Sequence, residues 1–207
     1  MERFGGPILE IGGFASGHRA VATSRWGTRP VTVNSRLTPG EHPHVVASGT
    51  LLPFRDDAFQ QVVLIDTLEH VASTQRSAVL REAIRVAARY VWLLFPFGCA
   101  ANVEAERELR LVAQRAGVIK ESLEEHLRLG LPNVRDVLRM APTNHVGVEF
   151  VSPRAILFAS LRAQLHLQGE GQRLMLARAS GRAATVVDRV LCPSKAYRAL
   201  IQLDSAK

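Results

Sequence analysis

Short apolar runs alternate with helix-periodic segments through the first half of this chain. The runs are "PILEIGG" (7–13), "RPVTVNS" (29–35), "HPHVVAS" (42–48), "QQVVLIDT" (60–67) and "ARYVWLLFPFG" (88–98). The second is β-branched, and glycine, proline or small polar residues bound the runs, so five strands are predicted, the third a short one. The fifth is almost continuously apolar, which suits a strand covered on both faces. Between the fourth and fifth, "STQRSAVLREAIRVAAR" repeats Val79, Leu80, Ala83, Ile84 and Ala87 at helical spacing, with Ser73 or Thr74 able to cap its start. Strands alternating with helices predict a parallel sheet with crossover helices.

The second half is less regular. "NVEAERELRLVAQRAG" (102–117) reads as a helix closed by Gly117. "ESLEEHLRLGLPNVRDVLRMAP" (121–142) reads as two helices split at Gly-Leu-Pro. "SPRAILFASLRAQL" is helical after its Ser152-Pro153 start. "AATVVDRVLCP" is a last helix or an irregular apolar segment, and "AYRALIQLDSAK" is a final strand. The fold class is therefore α/β in one domain, residues 1–207. Residues 1–100 form an alternating core, about 101–145 a helical insertion or cap after the fifth strand, and 146–207 the part that completes the sheet.

Composition changes this picture little. The 207 residues are 47% hydrophobic and 22% charged, ordinary for one domain with a sizeable core. Cys99 and Cys192 predict neither a disulfide framework nor a zinc site, and a reduced, cytoplasmic setting is the default. No run is long enough to span a bilayer and no signal peptide is recognised. The formal charge of +7 raises the question of nucleic acid. Most arginines are interleaved with acids. The exception is a C-terminal group, Arg173, Arg178, Arg182, Arg189, Lys195 and Arg198 against Asp188, scattered through apolar sequence without stacking aromatics. Nucleic acid is not the expected partner.

In open α/β sheets, ligands bind beyond the carboxyl ends of the strands. The polar residues at those ends are Glu10, Gly12, Gly13 and Gly17 after the first strand and Asn34 after the second. Ser48, Gly49 and Thr50 follow the third, and Asp66, Thr67, Glu69 and His70 the fourth. The glycine turn "LEIGGFASG" lets backbone approach a ligand closely, but it is not the dinucleotide spacing G-x-G-x-x-G. His70 has a pKa near neutrality and is the candidate base or acceptor-positioning group; otherwise it caps or packs a helix start. Glu69 can serve the first turn of its helix, where negative charge is favoured. His18 reads as a loop residue; Met140, Phe150 and Phe158 read as packing. No His, Cys or carboxylate spacing predicts a metal ligand set.

"ILEIGG" (8–13), "LLPFRDDAFQQVV" (51–63), "LEHV" (68–71) and "REAIRVA…VWLLFP" (81–96) together resemble class I S-adenosylmethionine (SAM)-dependent methyltransferases, of the small-molecule, type 11-like branch. The likeness covers roughly the first hundred residues in order and spacing. It implies a Rossmann-like methyltransferase fold and SAM as cofactor. It implies that Glu10 and the Gly12–Gly17 turn lie beside the amino-acid part of SAM, Asn34 at the ribose, and Ser48, Gly49 and Thr50 around the adenine. Asp66 and Thr67 would approach the methionine end and His70 the acceptor. Three positions diverge: Asn34 and Ser48 stand where the family has carboxylates, and Gln60 where it has Asp after Phe59. The function so implied is methyl transfer to a small-molecule or glycan-like acceptor. The alternatives are a catalytically inactive scaffold domain of this fold, favoured by the missing carboxylates, and an RNA methyltransferase, favoured only by the basic charge.

Overall fold

The computed structural model describes residues 6–12, 30–37, 43–141, 146–153 and 195–205. Gly13, Gly17, His18, Phe158, Cys192, the predicted helices after Ser152 and most of the basic C-terminal group lie outside them.

The strands are β1 (Ile8–Ile11), β2 (Val31–Asn34), β3 (His44–Val46), β4 (Phe59–Ile65), β5 (Ala87–Pro96), β6 (Val146–Pro153) and β7 (Ala196–Asp204). They form one sheet in the order β3-β2-β1-β4-β5-β7-β6. The first five are parallel; β7 runs antiparallel to both β5 and β6. The carboxyl ends of β1 to β5 therefore lie along one edge, and the strand order reverses between β1 and β4. That is the topological switch point of such a sheet.

The centre of the sheet is apolar because both its faces are covered. Val62, Val63 and Leu64 of β4 are consecutive and at most 1% exposed, which no alternating strand could be, whereas β5 buries Val91, Leu93 and Phe95 in alternation with partly exposed Trp92 and Leu94 and is less evenly covered than expected. Complete burial of each such side chain stabilises by about 1.5–3 kcal/mol. Helix α1 (Ser73–Val86) lays Val79, Leu80, Ala83 and Val86 on the sheet, as the spacing predicts. Its start differs from expectation. The N-cap is Ala72, and neither Ser73 nor Thr74 caps it through a side chain. Its end differs too: Ala87 is already strand, so helix passes into β5 without a loop.

Between β5 and β6 run α2 (Ala100–Arg115), α3 (Glu121–Leu129) and α4 (Val134–Met140). Gly117 ends α2 in a left-handed conformation, and the Gly130-Leu131-Pro132 break separates α3 from α4. Asn133 caps α4, its side-chain carbonyl accepting the Arg135 N–H at 2.9 Å. Strand β6, "VGVEFVSP", was not anticipated as a separate element. It occupies the sheet edge and pairs only with β7, so the sequence carries no turn signal linking it to a neighbour.

Candidate functional site

Gly12 follows β1 with φ +81° and donates its N–H to the Val33 carbonyl at 2.7 Å. A Cβ at this position would stand 2.6 Å from both Cγ2 and Oγ1 of Thr67. Only glycine fits, both for its left-handed backbone and for the approach of the β4 end. Thr67 completes the junction. Its buried hydroxyl lies 3.0 Å from the Ile11 carbonyl and 3.1 Å from that of Ile65, and donates between them. Glu10 lies within β1 rather than after it, and burial raises its carboxyl pKa.

Asn34 ends β2 on the same edge of the sheet. Its backbone carbonyl accepts from Ala47 N–H at 3.0 Å, and Ser35 Oγ donates to its Oδ1 at 3.4 Å. Ser48 opens the turn after β3. Its Oγ is 2.7 Å from Thr50 Oγ1 and accepts the Thr50 N–H at 3.2 Å. Gly49 is held over β1 and α1: a Cβ there would meet Ile11 and Val79 at 3.5 Å. The ends of β1, β2 and β4 and the turn after β3 are thus tied together around Gly12. Gln60 is not among them. It sits at the start of β4, its N–H donating to Pro7, at the opposite end of the sheet.

The stretch leading into β4 is fixed to the last turns of α1. Arg85 of α1 donates from Nη1 to the Phe54 carbonyl and to Asp56 Oδ1, both at 2.8 Å, and from Nη2 to the Leu52 carbonyl at 3.1 Å. Glu82 receives Arg85 Nε at 2.7 Å and the Leu52 N–H at 2.8 Å. Arg85 holds Glu82 below the usual carboxylate range. The "LLPFRDD" and "REAIRV" stretches are therefore two halves of one clamp.

Past β4 the chain turns sharply. Asp66 takes φ +47°, uncommon for a residue with a Cβ, and its Oδ2 pairs with Arg198 of β7 at 2.7 Å. A 3₁₀ turn, Leu68–His70, follows. Glu69 stands in the first turn of this helix, as expected, and is only 1% exposed. Burial first, then the Asp66 charge, push its carboxyl pKa up to about 9. Its Oε2 has no hydrogen-bond partner among the described residues.

His70 keeps 34% of its side chain exposed. Its Nδ1 is 2.7 Å from Glu125 Oε2 of α3. The next residue, His126, is buried and sets its Nδ1 2.9 Å from Glu106 Oε1 of α2. The Tyr197 hydroxyl donates to that same oxygen at 2.5 Å. Burial and the Glu106 charge raise the Tyr197 pKa well above normal. Arg76 explains how α3 reaches the turn. Its Nε donates to the Leu68 and Val71 carbonyls, each at 3.0 Å, and its Nη2 to Leu129 (3.3 Å) and Gly130. One guanidinium binds the turn after β4 to the end of α3.

Glu106, Glu125, His126, Tyr197 and Arg198 escaped the sequence reading. They lie 20 to 132 residues from their partners along the chain. Glu106, Glu125 and His126 resemble ordinary charged helix positions on α2 and α3, and burial marks out only Glu106 and His126.

Residues 20–95 match the family model described as a methyltransferase domain. No curated protein matches the chain significantly. Among solved structures the fold is similar to phosphoethanolamine N-methyltransferase 2 of Haemonchus contortus, determined with S-adenosyl-L-methionine (TM-score 0.58, 14% identity, covering 97% of this chain and 49% of that one). It is similar to the YcgJ protein of Bacillus subtilis (0.56, 17%, 99% and 94%). A SAM-dependent methyltransferase from Archaeoglobus fulgidus matches comparably (0.56, 10%, 96% and 85%). Among the described residues no helix is long and apolar enough to cross a membrane. Residues 20–95 thus match a methyltransferase-domain model, and the sheet that contains them has the fold of solved S-adenosyl-L-methionine-dependent methyltransferases.

Proposed function

We propose that the protein is a cytoplasmic enzyme that transfers the SAM methyl group to a small-molecule or glycan-like acceptor. The observation that carries the reading is the cradle at Gly12: a glycine that no other residue can replace, at the switch point, with Asn34, Gly49 and Thr67 around it. The backbone there offers the close approach that a cofactor's amino-acid part needs. Glu10 and the glycines from Gly12 to Gly17 are assigned to that part, Asn34 to the ribose, and Ser48, Gly49 and Thr50 to the adenine. Asp66 and Thr67 are assigned to the methionine end.

SAM supplies a methyl on a sulfonium, so the C–S pair stays on sulfur as the acceptor atom takes the carbon. The protein has to align the acceptor and exclude water. His70 is assigned to the acceptor side, as base or positioning group, because Glu125 holds its Nδ1 and leaves Nε2 turned inward. The phosphoethanolamine acceptor in the Haemonchus enzyme's name belongs to that enzyme; at 14% identity the likeness concerns the fold alone.

Asn34 and Ser48 bind more weakly than carboxylates would, which is also what favours the scaffold reading. A charge-assisted bond exceeds a neutral one by about 1 kcal/mol. Calorimetric titration with SAM and with S-adenosylhomocysteine tests both. Binding of both at micromolar to millimolar concentration is expected. No heat at millimolar cofactor, in the native chain and in the N34D/S48D double variant alike, gives the scaffold reading precedence.

A further inference from the structure

One donor atom from each of Glu69, His70 and His126 lies within 4.8 Å of the other two. The three come from two elements that Arg76 clamps together, the turn after β4 and helix α3. How the two imidazoles are held matters more than their proximity. Each offers Nδ1 to a carboxylate: His70 to Glu125 at 2.7 Å and His126 to Glu106 at 2.9 Å. An ionised carboxylate only accepts, so each Nδ1 carries the proton and each Nε2 presents a lone pair. Those two Nε2 atoms face one another at 3.4 Å. Two lone pairs make no hydrogen bond. The third group is the buried Glu69, whose Oε2 is without a partner among the described residues. Two imidazole lone pairs and one buried carboxyl group lie within reach of one place, and the carboxyl's proton leaves when a cation binds.

We infer that Glu69, His70 and His126 form a binding site for one divalent first-row transition-metal ion, with Glu125 and Glu106 orienting the two histidines. Two imidazoles and a carboxylate are the donor set of open zinc sites, and nitrogens about 2.0–2.1 Å from a tetrahedral ion stand about 3.3–3.4 Å apart. The Nε2 separation already has this value. The 4.8 Å span is wider than one ion's ligands allow, so the Glu69 carboxylate swings inward on binding. Carboxylates on the far ring nitrogens are the usual outer support of metal-bound histidine. The donors are too hard for a copper(I)-type site and too rich in nitrogen for calcium or magnesium. His70, one-third exposed, gives the ion a route in and leaves an open position toward solvent.

Ion binding does not depend on the methyl-transfer reading, but one consequence rests on it. It lies directly after β4, on the acceptor side, where an ion would fix and polarise an oxygen of the acceptor. His70 is then a ligand rather than the base.

The test uses the full chain, metal-free, titrated with ZnCl₂ by calorimetry, and with CoCl₂ by visible absorption. Neither SAM nor acceptor is present, so failure here and failure of methyl transfer are separate results. One ion per chain is expected, with a Co²⁺ spectrum of low coordination number. His70→Ala removes a one-third-exposed ligand and Glu69→Gln keeps the shape of a buried one; each should weaken binding at least tenfold. Glu125→Gln should keep the stoichiometry and lose about tenfold, the scale of an outer-support residue. Thermal unfolding of the metal-free variants checks that they fold. No saturable uptake at sub-millimolar Zn²⁺, or unchanged affinity in folded His70→Ala, overturns the site and leaves a proton shared between the two histidines.

Discussion

Gly12 joins β1 to β4 because it has no side chain. Its φ of +81° and the 2.6 Å approach to Thr67 both exclude a Cβ. Gly12→Ala should therefore destabilise the fold by about 1–3 kcal/mol, the scale of a left-handed strained residue. It should also abolish SAM binding, since relief of the clash moves the β1 end into the cradle. Urea denaturation and cofactor titration of the variant check the two effects. Asn34 makes the opposite prediction. With Asn34 at the ribose as proposed, Asn34→Asp would exchange a neutral hydrogen bond for a charge-assisted one and should tighten SAM by up to about tenfold. Calorimetry of the single variant decides it, and weaker or unchanged affinity removes Asn34 from the ribose.

At the scale of elements, the acidic turn before β4 depends on α1 through Arg85 and Glu82. Replacing Glu82 with Gln leaves the Leu52 N–H and the Arg85 fork half-satisfied, and about 1–3 kcal/mol of stability should go with it. Arg85 depresses the Glu82 pKa, so this contribution is present above the unfolded carboxyl value of about 4.3 and fades as acid protonates the folded protein. The stability gap between native chain and Glu82→Gln, followed by denaturation against pH, should be full at neutrality and close in acid. A gap independent of pH would detach Glu82 from the clamp.

The same scale separates what the sequence disclosed from what it did not. Strands β1, β2, β4 and β5 and the helix between β4 and β5 were legible because burial on both faces or one writes an apolar period directly into the chain. The break at Gly130 and the stop at Gly117 were legible because only glycine takes those backbone angles readily. Strand β6 was not, because an edge strand paired with β7 alone is specified by a partner about fifty residues away. The ends of β1, β2 and β4 could be collected by reading strand ends. The Glu106–His126–His70–Glu125 chain could not, since its members are joined by tertiary packing and by one arginine, Arg76, which reads as a plain helix-surface residue and is 6% exposed.

For the whole molecule, a net charge of +7 distinguishes a general basic surface from a nucleic-acid groove only by arrangement. The C-terminal arginines alternate with apolar residues and lack stacking aromatics, so submicromolar RNA binding at physiological salt is not expected. Fluorescence anisotropy with single- and double-stranded RNA across a salt series checks this. Tight binding that falls steeply with salt would reverse it.

The central claim is that the carboxyl ends of β1, β2 and β4, gathered around Gly12, hold S-adenosyl-L-methionine. Amide chemical-shift mapping of the isotope-labelled protein, titrated with S-adenosylhomocysteine, reads it most directly. The account predicts saturable shifts concentrated at Ile11, Gly12, Asn34, Gly49, Thr50 and Thr67, with Gln60 at the far end of β4 unmoved. Shifts confined to other surfaces, or none at millimolar ligand with the fold intact, would contradict it.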